Sequence, residues 1–264
     1  MRSKKDKILI EWIPEDRKVL QLRLPIDVHF GTREEIREVL GLFTGGVDAA
    51  VRSDSEGHHV ELNEAVNRHG CRHELCHCRL NEWGYGEGIR ISVKPDPNNL
   101  DELQRQMYVL IDRCGGAFDE FWAEALNYRI FPSTAREDVA QFTRILRYPP
   151  ADLLNRLTTE RFLDYLGALF TMPALIAKTQ RMDMRPLLKP TLAQIAGLNP
   201  KWAKAIELGA SLVEARDIPS SKLADWAKRD WQLQSRLDIE DGVRVFNELG
   251  WGIVTAGKWH HACA

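Results

Sequence analysis

Short apolar runs in the first part of the chain predict a small sheet around one helix. Residues 7–24 are rich in Ile, Val and Leu, and residues 14–17 supply a turn between two such runs, which predicts a β-hairpin. Thr32 followed three residues later by Glu35 forms a capping box, which predicts the start of a helix. Residues 59–63 alternate polar and apolar side chains, as a half-buried strand does.

From residue 64 onward the apolar residues recur mainly at helical spacing. The pattern predicts a helix over 64–83, a short strand over 89–93, and a long helix over 101–131 that Gly115-Gly116 kinks or divides. Pro132 is expected to end that helix. Further helices are predicted over 135–147, 150–158, 160–178, 190–196, 200–215, 220–234 and 239–249.

These elements predict an α+β fold with two parts. The first domain, residues 1–134, holds the short sheet, the helix over 64–83 and the long second helix. The second domain, residues 135–264, is entirely helical. Because the chain has no long Gly/Ser linker, we expect the two parts to pack together.

The composition changes this prediction little. Hydrophobic residues make up 44% and charged residues 28% of the chain, which is ordinary for a soluble globular protein. The net charge of -2 does not favour nucleic acid as a partner. The longest apolar stretch, 162–177, contains Asp164 and is shorter than the roughly 20 residues that a membrane span needs. With no secretory signal and an odd number of cysteines, five, we expect a cytoplasmic protein without a disulfide framework.

The strongest candidates for metal binding and catalysis lie in the run His73-Glu74-Leu75-Cys76-His77. Residues four apart lie on one face of a helix, so both imidazoles can bind one zinc ion. Glu74 can reach a zinc-activated water without binding the metal, which is the position of a general base. We expect residues 60–63, just before this helix, to be an edge strand that binds an extended peptide by β-addition.

The segment Cys71–Cys78 resembles the active-site helix of the zincin metallopeptidases. The order of strand, helix, edge strand, motif helix and long second helix is similar to the minimal gluzincin core, and the resemblance covers about residues 7–132. It implies a zinc metallopeptidase in which His73 and His77 bind Zn²⁺ and Glu74 is the general base acting on a peptide or protein substrate. The sequence departs from the family at Arg79, where an apolar residue is usual.

In gluzincins the third zinc ligand is an acidic residue on the second helix, and two residues here are candidates. Glu124 lies closer than Glu120 to the apolar face of the long helix and is followed by Asn127, an acid-x-x-Asn pattern similar to that of several small zincin families. Glu124 is therefore the preferred ligand. In the alternative, Glu120 is the ligand and Glu124 orients a histidine from outside; in a third version neither binds zinc.

Two other interpretations stay open. Cys71, Cys76 and Cys78 could belong to a structural zinc cluster, although their spacing does not place them on one helix face. The fold could also serve as a non-catalytic, zinc-stabilised binding or regulatory module whose helical half contacts a partner or nucleic acid. Glu74 discriminates between these functions, because a purely structural site has no need of an unligated carboxylate beside its two histidines.

Overall fold

The structure is a computed structural model, and it describes residues 3–40, 49–86, 102–147 and 159–248. It is α+β and mostly helical, as predicted, with one small mixed sheet. The strands are β1 (Ile26–Phe30), β2 (Ala49–Ser53) and β3 (His58–Leu62). The helices are α1 (Lys4–Lys7), a π-helical turn (Ile8–Trp12), α2 (Ile13–Leu20), α3 (Arg33–Leu40), α4 (Arg68–Glu82), α5 (Glu102–Ile130), α6 (Pro132–Arg147), α7 (Thr159–Gln180), α8 (Arg185–Leu198), α9 (Pro200–Glu214), α10 (Leu223–Trp226) and α11 (Trp231–Glu248).

The sheet has the strand order β1-β3-β2, with β1 parallel and β2 antiparallel to β3. The alternating pattern of β3 buries His58, Val60 and Leu62 on one face and leaves the intervening residues partly exposed. The strand predicted over 59–63 is thereby confirmed. Its predicted position at an edge is wrong, because β1 and β2 occupy both of its sides and leave no free edge for a peptide.

The hairpin predicted over 7–24 is also wrong, since residues 4–20 are helical throughout. Ser3 caps this segment through a capping box with Asp6. Pro14 lies in the first turn of α2, directly after the π-helical turn, where its missing N–H is tolerated. The buried side chains, Ile8, Ile13, Asp16 and Leu20, follow a helical spacing. Helical amphipathicity therefore overrides the strand preference of the Ile and Val residues.

Asp16 ties this N-terminal helix to α4. Its carboxylate is 1% exposed and accepts two hydrogen bonds from Arg72, at 3.0 and 3.1 Å. Arg68, one turn earlier on α4, donates to the same carboxylate at 3.1 Å. The Arg72 guanidinium also lies 4.2 Å from the ring centroid of Phe131. A buried carboxylate held by two arginines in this way fixes the side of α4 that faces α2.

Glu82 fixes the other end of α4. One carboxylate oxygen accepts the backbone N–H groups of Arg23 and Leu24 at 2.7 and 2.8 Å, and the other accepts from Arg79 at 2.5 Å. Burial acts to raise the pKa of Glu82, but hydrogen bonds from His58, the two backbone amides and Arg79 outweigh it and lower the pKa to about 2. Arg79, the departure from the family pattern, is thus buried as the partner of Glu82.

The chain divides into two compact units. The first comprises Met1–Tyr85, Trp122–Asp138 and Pro219–Trp231, and it contains the sheet, α4 and the C-terminal part of α5. The second comprises Gly86–Phe121, Val139–Ile218 and Gln232–Ala264. The contiguous division at residue 134 stays a prediction. Among the described helices, none is both long and apolar enough to cross a membrane.

Inside the second unit, α7 and α9 approach closely at Gly209. A Cβ atom added there would lie 2.6 Å from the ring of Phe170, which is 1% exposed. Phe170 in turn packs against Phe118 with ring centroids 5.8 Å apart. The absence of a side chain at Gly209 is therefore required by the contact between the two helices.

Most of the predicted helices are confirmed, with three differences. Gly115 and Gly116 do not divide α5, which is continuous. The helix predicted over 220–234 is wrong, because α10 ends at Trp226 and α11 begins at Trp231. Between the two helices the indoles of Trp226 and Trp231 stack with ring centroids 5.9 Å apart, and the Trp231 indole N–H donates to the Trp226 carbonyl oxygen. The helix predicted over 239–249 begins earlier, at Trp231. The strand predicted over 89–93 and the helix predicted over 150–158 lie outside the described residues.

We expect Glu82→Gln to lower the free energy of unfolding at pH 7 by about 2 kcal/mol, because it removes a charged acceptor of several hydrogen bonds. The folded pKa lies below the ordinary 4.5, so this stabilisation is present above about pH 4.5 and is lost as the pH falls toward 2. Urea unfolding of both proteins between pH 7 and pH 2.5 measures the difference. A difference that does not shrink toward pH 2.5 would contradict this role of Glu82.

Gly209→Ala should destabilise the protein by about 1–3 kcal/mol, because its Cβ would overlap the Phe170 ring. Gly197→Ala is the matched control, since a Cβ in that helix meets nothing within 4 Å. Alanine has the higher helix propensity, so the control is expected to be neutral or up to about 1 kcal/mol more stable. Thermal unfolding of the two variants, compared with the unsubstituted protein, tests the contact; equal effects would disprove it.

Candidate metal centre

Helix α4 carries the zinc motif and begins with a well-formed cap. The Asn67 side chain accepts the backbone N–H of Gly70 at 2.8 Å, directly after the turn that follows β3. The other side of α4 meets the sheet, where Asn81 donates to the Ser53 hydroxyl and His58 approaches Glu82. The helix is therefore held at both ends and along one face before any metal is considered.

The three cysteines of the motif helix are packing residues. Cys71, Cys76 and Cys78 are all fully buried. Burial raises the pKa of Cys71 to about 12 and the pKa values of Cys76 and Cys78 well above the ordinary value. The candidate metal-binding groups among the described residues contain none of these cysteines, so the structural zinc cluster has no support in this part of the chain.

The two histidines face each other across one helical turn. The Nε2 atoms of His73 and His77 are 3.1 Å apart, and their rings are nearly perpendicular, at 79°. His77 is 6% exposed, and the His73 side chain is 16% exposed. Two nitrogens bound to one tetrahedral zinc at about 2.0–2.1 Å would be separated by about 3.3 Å. The spacing of the two imidazole nitrogens therefore fits a shared zinc ion.

Glu124 lies on the far side of His73. One oxygen is 2.7 Å from Nδ1 of His73, and the other is 2.7 Å from Nε2 of His69. The Nδ1–H of His73 can thus donate to Glu124, which leaves Nε2 as the electron-pair donor facing His77. Burial acts to raise the pKa of Glu124, but the hydrogen bonds from His69 and His73 outweigh it and lower the pKa to about 2.

Glu120 has a different position on the same helix. It is exposed, one turn before Glu124 on α5. Glu120 belongs to the second compact unit, whereas His73, His77 and Glu124 belong to the first. Both versions of the third ligand, Glu124 itself or Glu120 with Glu124 orienting His73, stay predictions.

Glu74, the expected general base, follows His73 directly and is 8% exposed. Its charge acts on the thiols of Cys71 and Cys78, which lie within one turn of it on the same helix. The role of Glu74 as general base stays a prediction.

Sequence analysis missed His69. It stands four residues before His73 and thus on the same helix face, so the repeated spacing His69, His73 and His77 was the available signal. Asn127, found in the acid-x-x-Asn pattern, is fully buried, and its Nδ2 lies 3.4 Å from both the Glu124 carboxylate and the His69 carbonyl oxygen. Through these contacts, His69 and Asn127 hold the Glu124 carboxylate.

Comparison with protein-family models, curated proteins and solved structures found no match to this chain. A function for this chain is therefore inferred from the chemistry and geometry of its own residues.

Proposed function

We propose that this protein is a zinc-dependent metallopeptidase whose metal centre is formed by His73 and His77. One observation carries the proposal: the two Nε2 atoms meet at 3.1 Å while the opposite nitrogen of His73 is held by a buried carboxylate, Glu124. In zinc sites a ligating histidine almost always donates its second N–H to a carboxylate, a carbonyl or a water. A hydrogen-bonded carboxylate of this kind is therefore evidence for a metal ligand.

The donor set fits zinc. Two neutral imidazoles and one carboxylate are the ligands of many catalytic zinc sites, which keep a further position for water or substrate. We assign the carboxylate to Glu120, with Glu124 as the residue that orients His73. The alternative is Glu124 as the ligand. To bind the zinc ion, the Glu124 carboxylate would have to leave His69 and His73, which it contacts in this structure.

The reaction is the hydrolysis of a peptide bond. Zinc, when bound, supplies a Lewis acid that lowers the pKa of a water molecule to about 7 and polarises the scissile carbonyl. Glu74 takes the proton from the attacking water and delivers it to the leaving amine. His69 and Asn127 keep Glu124 in place, so that His73 keeps the tautomer in which Nε2 carries the free electron pair.

A peptide substrate needs a surface that holds it extended. Since β3 is the central strand, we assign to β2 the peptide-binding role that was predicted for β3. Within the described part of the chain β2 pairs with β3 alone, and Ser53 of β2 contacts Asn81 of the motif helix. An extended peptide added along the free side of β2 would therefore run beside α4.

Glu74→Gln should abolish peptide hydrolysis, with a loss of at least about 100-fold in kcat, because the general base is removed. Zinc should stay bound, because Glu74 is not a ligand. The measurement is cleavage of a peptide library by purified protein, with zinc content determined in parallel, and the exposed substitution Glu207→Gln is the control.

Retained hydrolysis in Glu74→Gln would disprove the role of Glu74. A protein that binds zinc but cleaves no peptide of a diverse library, even without substitution, would support the non-catalytic binding or regulatory module instead.

Zinc affinity can separate the two candidate ligands. Glu120→Gln removes a ligand and should prevent tight zinc binding. Glu124→Gln keeps an oxygen that can accept from His73, so its affinity should fall only about 10–100-fold. Competition with a chromophoric chelator measures both. The reverse order, with the larger loss in Glu124→Gln, would make Glu124 the ligand.

A further inference from the structure

A second group of metal-binding side chains lies on the solvent-facing side of the sheet. It consists of Asp27 and His29 on β1 and His59 on β3, whose candidate ligand atoms all lie within 4.8 Å of one another. The opposite face of the sheet, with His58 and Ser53, meets α4 through Glu82 and Asn81. Because neighbouring residues of a strand point to opposite faces, this group lies on the face away from the zinc motif.

The strand pairing determines which of these residues are neighbours. Asp27 is opposite His59 in the parallel pair of β1 and β3, and His29 lies two residues after Asp27 on the same face. The His29 Nε2 atom is 2.8 Å from an Asp27 carboxylate oxygen, and Nδ1 of His59 is 3.8 Å from the same oxygen. One carboxylate oxygen thus lies between two imidazole nitrogens.

A fourth residue, Asp54, lies behind His59. One Asp54 oxygen is 3.6 Å from Nε2 of His59, while the other accepts the backbone N–H groups of Glu56 and Gly57 at 2.8 and 3.0 Å. This leaves Nδ1 as the nitrogen of His59 that faces Asp27. A carboxylate that contacts the outer nitrogen of a histidine is the arrangement seen behind histidine ligands in metal sites.

The turn that carries Asp54 is itself fixed. A Cβ atom on Gly57 would lie 2.9 Å from the carbonyl oxygen of Pro25, and that same oxygen accepts the backbone N–H of His58 at 2.9 Å. Only glycine permits this close approach, which joins the turn before β3 to the start of β1. The two strands and the turn therefore hold the four side chains in one place.

We propose that Asp27, His29 and His59 form a second site for a divalent transition-metal ion, with Asp54 orienting His59. Two imidazoles and one carboxylate suit Zn²⁺, Ni²⁺ or Cu²⁺ better than Mg²⁺ or Ca²⁺, which prefer oxygen ligands. The ligand side chains are 43–61% exposed, so small rotamer changes can shorten the longest separation to coordination geometry. The site is independent of the proposed zinc of α4 and of its chemistry.

The test is isothermal titration of the full chain with ZnCl₂ and, separately, NiCl₂. All variants also carry His260→Ala and His261→Ala. These two substitutions remove the one pair of adjacent histidines in the sequence that lies outside the motif helix and the sheet. We expect a class of sites that is lost in His59→Ala and in Asp27→Asn, and whose affinity falls about 10–100-fold in Asp54→Asn. Glu56→Gln removes one negative charge from the same turn and should leave this class unchanged.

Three results would overturn the proposal: no class of sites sensitive to both His59→Ala and Asp27→Asn, unchanged affinity in Asp54→Asn, or an equal loss in Glu56→Gln. Circular dichroism of each variant excludes unfolding as the cause. If zinc does not bind at His73 and His77, the unsubstituted protein should still bind metal at the sheet, and His59→Ala should still abolish that binding. The failure of one site is therefore distinguishable from the failure of the other.

Discussion

The structure of the proposed metal centre depends on one buried carboxylate. Glu124 is 6% exposed and contacts two histidines of α4, His69 and His73, at 2.7 Å each. Removing a carboxylate from water costs several kcal/mol unless partners compensate. Oε2 of Glu124 pairs with Nδ1 of His73 and accepts from Asn127, while Oε1 lies in an ion-pair contact with His69. The contact that compensates the burial of Glu124 is therefore also the contact that would orient His73 in the proposed site.

Two further buried carboxylates position the helix on which these histidines lie. Asp16 holds Arg72, the residue directly before His73, and Glu82 holds the end of α4 against the chain that leads into β1. Asp16 and Glu124 thus attach to α4 from two different parts of the chain, and Glu82, the last residue of α4, attaches the helix to residues 23 and 24. These contacts keep the candidate ligands of the proposed site near one geometry, as preorganised metal sites require.

Features that depend on a local sequence pattern were predicted correctly. Features that depend on contacts with residues distant in the sequence were not. The capping box of Thr32 and Glu35, the strand β3 and the continuous α4 follow from spacings within a few residues of each other. The position of β3 within the sheet depends on β1, which pairs with it across about thirty residues and leaves no local signal. Residues 7–20 contain strand-forming residues, yet capping by Ser3 and burial on one face make them helical.

The choice between Glu120 and Glu124 shows a limit of the same kind. The apolar face of a helix identifies the more buried carboxylate, and Glu124 is indeed the more buried of the two. Burial, however, also suits a carboxylate that orients a histidine, whereas a ligand must reach the open side of the site. Amphipathicity alone does not separate these two roles, so the choice between Glu120 and Glu124 stays a prediction.

The most direct test of the central claim is the position of a zinc ion, located by its anomalous scattering in crystals of the zinc-loaded protein. We predict zinc bound to the Nε2 atoms of His73 and His77 and to the carboxylate of Glu120, with Glu124 still on Nδ1 of His73. A zinc ion bound to cysteine sulfur, or the absence of zinc from the two histidines of α4, would contradict it.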